Sequence, residues 1–200
     1  MTLEPAYFDR MYAASHDPWG LASRWYERRK YAISLAMLPR EKYQDAFEPG
    51  CSIGVLTEQL APRCSRLLSC DVSAAALRAA ARRTRGQPGV RVERRLLPRD
   101  WPAGAFDLVV FSEVLYYFGG DDLDRVLGRC MAALRPGGTL LAVHWRHPVP
   151  EYPRSGDEVH RVLASLPGLN RLAEHTEADF IAEVYVHGPP VSVAETTGLR

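Results

Sequence analysis

Three short stretches of this 200-residue chain carry residue types able to do chemistry. The first is Glu48-Pro49-Gly50-Cys51-Ser52-Ile53-Gly54, an acid followed by two glycines four positions apart. Glycine lets the backbone approach a ligand closely and turn where other residues are strained. The second is Asp71, 17 residues beyond Gly54, whose carboxylate can accept hydrogen bonds from both hydroxyls of a ribose. The third is Ser112-Glu113 with Tyr116 and Tyr117, followed at a distance by His144, His147 and His160. A carboxylate or an imidazole at such a place can orient a nucleophile or take its proton.

A strand that runs into glycines and then a helix suits a nucleotide-like ligand, which in open α/β sheets sits outside the carboxyl ends of the strands. A dinucleotide requires Gly-x-Gly-x-x-Gly, with a helix N-terminus against the pyrophosphate. Here Ser52 takes the middle glycine position, and no third glycine follows at the required spacing. Glu48 fits poorly beside a pyrophosphate and suits a cationic sulfonium ligand bearing an amino group. The residues favour S-adenosylmethionine over a nicotinamide dinucleotide, and a ligand site over a bare strand-to-helix turn.

Alternating strands and helices must position these groups. Helical segments are expected over Pro5–Ala14 and Trp25–Leu38, with Asp17-Pro18-Trp19-Gly20 as a turn between them. A short strand at Asp45–Glu48 leads into the glycine loop, a helix over Val55–Ala61, and a second strand at Arg66–Asp71. Ser73 is placed to cap the next helix. Val90–Arg94 and the nearly continuous apolar run Phe106–Ser112 are the third and fourth strands, the latter buried on both faces. Leu123, Val126, Leu127, Cys130, Met131 and Leu134 make one helical face, stopped by Pro136-Gly137-Gly138 before a fifth strand at Thr139–Val143. After the loop His144–Gly156, a helix is expected over Asp157–Leu166, then strands Asn170–Thr176 and Phe180–His187. The link Glu177-Ala178-Asp179 is too short for a parallel return, so these two strands form an antiparallel hairpin. The chain beyond Pro189-Pro190 is expected to be loosely ordered.

Two hundred residues suit a single domain, here an α/β sheet of five parallel strands and a hairpin. Its parts are an N-terminal helical lid (1–40), a cofactor-binding core (45–145) and an acceptor-side helix and hairpin (146–188). No stretch approaches the roughly 18 apolar residues of a membrane span. Met1-Thr2-Leu3-Glu4-Pro5 lacks the basic and apolar parts of a signal peptide, so a cytoplasmic location is expected. A formal charge of +1 argues against nucleic acid. The arginines between Arg78 and Arg99 read as a solvated face, with a local patch for an anionic substrate as the sharper reading. Cys51, Cys64, Cys70 and Cys130 show no metal or disulfide spacing and read as small buried hydrophobes; no metal is expected.

The glycine loop, Asp71, Phe106-Asp107 through Ser112-Glu113, and Leu134-Arg135-Pro136-Gly137-Gly138 resemble the motifs of class I S-adenosylmethionine methyltransferases. Asp17-Pro18-Trp19, Tyr26-Glu27-Arg28 and Ser112-Glu113-Val114-Leu115-Tyr116-Tyr117 resemble the NodS-type branch, named for N-methyltransferases acting on the freed amine of a chitooligosaccharide. The resemblance implies a Rossmann-like seven-stranded sheet and S-adenosylmethionine as cofactor. It implies cofactor contacts from Trp19, Arg28, Glu48, Gly50, Cys51, Gly54, Asp71, Val72, Leu97, Ser112 and Glu113. Leu96 stands where the family carries an acid for the adenine amino group, so adenine is expected to rest on backbone groups and apolar packing. Arg28 is the expected partner of the methionine carboxylate, with Arg29 and Lys30 as neighbours of similar claim.

Methyl transfer from a sulfonium needs an aligned acceptor, dry surroundings and a base where the nucleophile carries a proton. Glu113 either orients an amine or caps the next helix; His144 is either a base or satisfied by the loop backbone. Tyr116, Tyr117, His147 and His160 are the expected acceptor-side residues. The expected reaction is N-methylation of a small amine such as an amino sugar. O-methylation of a hydroxyl and a non-catalytic binding protein are the alternatives.

Overall fold

The computed structural model describes residues 1–200. Its sheet has seven strands: β1 Tyr43–Pro49, β2 Cys64–Asp71, β3 Val90–Arg94, β4 Phe106–Ser112, β5 Leu134–Trp145, β6 Leu169–Thr176 and β7 Phe180–His187. The order across the sheet is β3-β2-β1-β4-β5-β7-β6. The first five strands are mutually parallel. The β6–β7 hairpin adds antiparallel, with Thr139 opposite Val186 and Trp145 opposite Phe180. The helices are α1 Pro5–Ala14, α2 Trp25–Ala36, α3 Val55–Leu60, α4 Ala74–Arg83, α5 Gly120–Ala133, α6 Gly156–Ala164 and α7 Val193–Thr196. None is long and apolar enough to cross a membrane.

The chain winds outward in opposite directions from β1 and β4, which lie side by side. A crevice opens at such a switch point, beyond the carboxyl ends of the two strands. The glycine loop leaves β1 there and Glu113 leaves β4. Along β4, Leu108 and Val110 face a core with α1, α2 and α3, while Val109 and Phe111 face one with α5 and α6. All four are fully buried, which is why the strand reads as an unbroken apolar run.

Three local expectations change. Ser73 precedes α4 but its hydroxyl makes no capping bond; Asp71 Oδ1 instead accepts the Ser73 N–H at 2.9 Å. Strand β5 starts at Leu134 and runs through Pro136-Gly137-Gly138, where the register with β4 shifts between Phe106 and Leu108. Beyond Pro189-Pro190 the chain forms the short helix α7, capped by Ser192.

Candidate active site

Backbone geometry builds the glycine loop. Gly50 has φ +73°, and a Cβ there would meet Val114 at 2.9 Å. Ser52 adopts φ +53° without being glycine, the kind of strain that persists only where its surroundings hold it. Its Oγ lies 2.5 Å from the Tyr12 hydroxyl of α1, and its N–H donates to Asp71 Oδ2 at 3.0 Å. Gly54 serves packing rather than a ligand. At φ +79°, a Cβ on it would come 2.9 Å from the Ala80 Cα of α4, and Gly54 does not line the cavity.

That cavity, about 480 Å³, lies between the strand ends and the N-terminal segment. Of the residues expected from sequence, Trp19, Glu48, Gly50, Cys51, Asp71, Val72, Leu97, Ser112, Glu113, Tyr116 and Tyr117 line it. Leu96 and Arg95 also do, at the end where Val72 and Leu97 lie. Each Asp71 oxygen accepts one backbone N–H, from Ser52 and Ser73. A carboxylate has about four acceptor sites, so two remain for a pair of hydroxyls. Burial raises the Asp71 pKa, and the Ser73, Ser52 and Val72 amides counter this.

Glu48 is 2% exposed at the cavity floor. Its Oε2 accepts from Thr57 Oγ1 and Ser69 Oγ, both at 2.7 Å. Burial pushes its pKa up to about 7, against the effect of those two hydroxyls. A carboxylate so short of positive partners favours a cationic ligand group beside it.

Glu113 ends β4 with φ +57°. Oε1 meets the Lys30 ammonium at 2.5 Å, while Oε2 accepts the Tyr116 hydroxyl at 2.5 Å and the Trp145 N–H at 2.9 Å. Lys30 also contacts Glu27 Oε2 at 3.0 Å, and its ammonium lies 5.1 Å from the Tyr26 ring centroid. Burial works against the Lys30 charge, yet Glu113 and Glu27 raise its pKa above the ordinary lysine value. Glu27 is raised by burial despite Lys30. Two carboxylates share this one buried ammonium, and the Arg24 charge also acts on Glu27. Burial, then the Glu113 charge, holds the Tyr116 phenol well above its usual pKa, so it acts as a donor.

Sequence reasoning missed Tyr26, Glu27 and Lys30 as a group. They share the inner face of α2, where Glu27, Lys30, Tyr31 and Ser34 are buried at i, i+3, i+4 and i+7. That helical spacing was visible, but the residues are mostly polar, and an apolar stripe is what marks a buried face. Arg28 points the other way: it is exposed, donates to the Ser23 carbonyl at 2.7 Å and lies over Trp25. Arg24, one turn earlier, lines the cavity instead.

The three histidines stay out of the cavity. His147 is exposed and paired with Asp179 at 2.8 Å. His144 is fully buried, with Nε2 accepting the Leu115 N–H at 3.2 Å and Nδ1 3.0 Å from His160 Nε2. His160 Nδ1 is 2.5 Å from Glu183 Oε2. Both His144 ring nitrogens are occupied, so it offers no lone pair to an acceptor. The reason is strand parity: His144 follows Leu140 and Ala142 onto the α6 face, not Leu141 and Val143 onto the face under α2.

Residues 47–140 match a family model described as a methyltransferase domain. A crystal structure of a candidate methyltransferase from Pseudomonas syringae is 46% identical, with TM-score 0.73 over 82% of this chain and 99% of that one. NodS N-methyltransferase from Bradyrhizobium japonicum, crystallised with S-adenosyl-L-homocysteine, is 25% identical, with TM-score 0.82 over 92% of this chain and 98% of that one. Nodulation protein S of Rhizobium tropici is 34% identical over 130 residues, 64% of this chain. The chain spans 55–62% of the length of the curated relatives it matches. It belongs to the methyltransferases, and it is similar to the NodS proteins.

Proposed function

We propose that the protein binds S-adenosylmethionine and methylates the amine of a small molecule, an amino sugar being the class that the resemblance to the NodS-type branch implies. The residues present fit the cofactor. Asp71 has acceptor sites for two ribose hydroxyls, Glu48 suits the amino group, and Val72, Leu96 and Leu97 supply apolar packing for adenine. Arg24 is the cation on the cavity wall suited to the carboxylate. Bound there, the cofactor supplies a methyl group on a positively charged sulfur.

The observation that carries the choice of an amine is the pair of cavity-lining carboxylates, Glu27 and Glu113, that share the single ammonium of Lys30. A protonated amine is attracted to it, and a neutral hydroxyl is not. Glu113, held by three donors, accepts an N–H of the acceptor, orients its nitrogen and receives the proton that must leave. Tyr116, Tyr117 and Trp145 wall the same space and exclude water. The segment 1–40 serves as the lid, since Thr2, Leu3, Phe8 and Tyr12 close the cavity from outside the sheet.

Calorimetry with S-adenosylhomocysteine and with NAD tests the donor: the first binds, and Asp71→Ala weakens it at least tenfold, as loss of charge-assisted bonds of about 1.5–3 kcal/mol requires. A methyl-transfer screen over paired amines and alcohols, glucosamine with glucose among them, tests the acceptor. Preference for the alcohols overturns the amine assignment.

A further inference from the structure

His144, His160 and Glu183 form a buried row with a single consistent direction. The Leu115 N–H can only donate, so His144 Nε2 is the bare nitrogen. A neutral His144 then carries its proton on Nδ1 and donates to His160 Nε2, 3.0 Å away. His160 in turn carries its proton on Nδ1 and donates to Glu183. Glu183 is fixed by Tyr185 Oη at 2.5 Å and Arg171 at 2.6 Å. Each link determines the tautomer of the next, as an acceptor behind an imidazole does in other settings.

What the row holds is the loop after β4. Leu115 opens the 3₁₀ turn Leu115–Tyr117, and its N–H is among those that such a turn leaves without an internal partner. His144 supplies the acceptor and packs edge-on to the Tyr116 ring, with centroids 5.2 Å apart. Two residues before Leu115 stands Glu113 in its left-handed conformation. A backbone held there needs support from its surroundings.

We propose that His144 and His160 are positioning residues for methyl transfer: their tautomers, set by Glu183, keep one bare nitrogen under Leu115 and so fix the loop presenting Glu113 and Tyr116. The hairpin and α6 thus act on the reaction from behind the loop. The proposal rests on Glu113 serving the acceptor, as above, but is tested separately.

Long-range ¹H–¹⁵N correlation spectra of the labelled protein with S-adenosylhomocysteine bound should show both rings as the Nδ1–H tautomer. An Nε2–H at His144 overturns the proposal. In H160L the row is cut, and Leu115 amide exchange should speed up about tenfold, the equivalent of one hydrogen bond. In H160Q, whose amide has an acceptor and a donor, exchange should stay near the wild-type rate. Val109 and Leu141 should exchange slowly in all three. Equal acceleration at those strand amides assigns the row to general stability and overturns the proposal, as does an unchanged Leu115. With an amine substrate in hand, H160L should lower kcat at constant KM for S-adenosylmethionine, and H160Q should restore it. If H160L does not fold, the tautomers and H160Q decide. A fully active E113Q removes the role of Glu113 while leaving the tautomer and exchange results intact.

Discussion

Two buried polar clusters meet at the same loop and do opposite things. Lys30, Glu27 and Glu113 face the cavity, two carboxylates sharing one ammonium. His144, His160 and Glu183 face the α6 core, and each nitrogen of the two rings has a partner. Their anchor points, Glu113 and Leu115, are two residues apart. Both clusters consist of titratable residues, and by residue type Glu113 and His144 are equal candidates for chemistry. What separates them is satisfaction. A cluster whose hydrogen bonds are closed among protein groups is architecture, and one whose carboxylates line a cavity is open to a ligand.

Glu113→Gln should have the largest effect. Turnover of an amine should fall at least a hundredfold, within the span of about 10²–10⁴ for general acid–base groups, while S-adenosylhomocysteine affinity changes little. Retained turnover would move the cavity-facing cluster into the same class as the histidine row. Lys30→Met leaves the buried Glu27 and the part-buried Glu113 without their cation and should destabilise the protein by about 3–5 kcal/mol, measured by chemical denaturation at neutral pH. A loss below about 1 kcal/mol would show that the cluster is wetter than its burial indicates.

Glu48→Gln sharpens the comparison from the donor side. Burial lifts Glu48 to about 7 from an ordinary 4.5, so the folded chain holds a proton that the unfolded chain has released. The stability this provides is complete below pH 4.5 and is lost as pH rises through about 7. Glutamine escapes that loss while still accepting from Thr57 and Ser69. Without ligand, the variant should match the wild type near pH 4.5 and exceed it by about 3 kcal/mol at pH 8, seen in thermal melts at both values. An equal difference at both would contradict the burial. His144 acts in the opposite sense. Burial, with His160 and Lys30, holds its pKa well below 6.5, so stability falls as pH drops below that value.

Arg28→Ala should do least. An exposed arginine bound to a neighbouring carbonyl contributes little, and S-adenosylhomocysteine affinity should stay within about twofold by calorimetry. Arg24→Ala is the informative partner, since Arg24 lines the cavity. A tenfold loss at Arg28 instead would return the carboxylate to the residue that the motif suggested.

The parts legible in the sequence are those whose cause is local. Glycine at Gly50, the apolar run of β4 and the short link at Glu177–Asp179 each follow from backbone freedom, burial on two faces or loop length. They establish the α/β sheet, its antiparallel end and the donor side of the site. Asp71 lies at the end of β2 whatever packs elsewhere. Some motif residues were legible only as positions. Asp107 matches a family motif, yet its carboxylate binds the Gln44 and Asp45 amides at the far end of β1 from the site. Gly54 is a packing contact between α3 and α4.

Direction in space lay beyond the sequence. Period two places His144 on one face of β5 and Val143 on the other, but which face the lid covers depends on where α2 and α6 settle. Period 3.6 groups Glu27 with Lys30, but a polar stripe becomes an inner wall only when Glu113, 83 residues beyond Lys30, arrives opposite it. Sequence alone therefore determined the sheet and the glycine turn at the end of β1, because glycine freedom and strand ends are local properties. The tertiary structure decided which acids and bases face the cavity, because charge balance and hydrogen-bond closure arise between segments far apart in the chain.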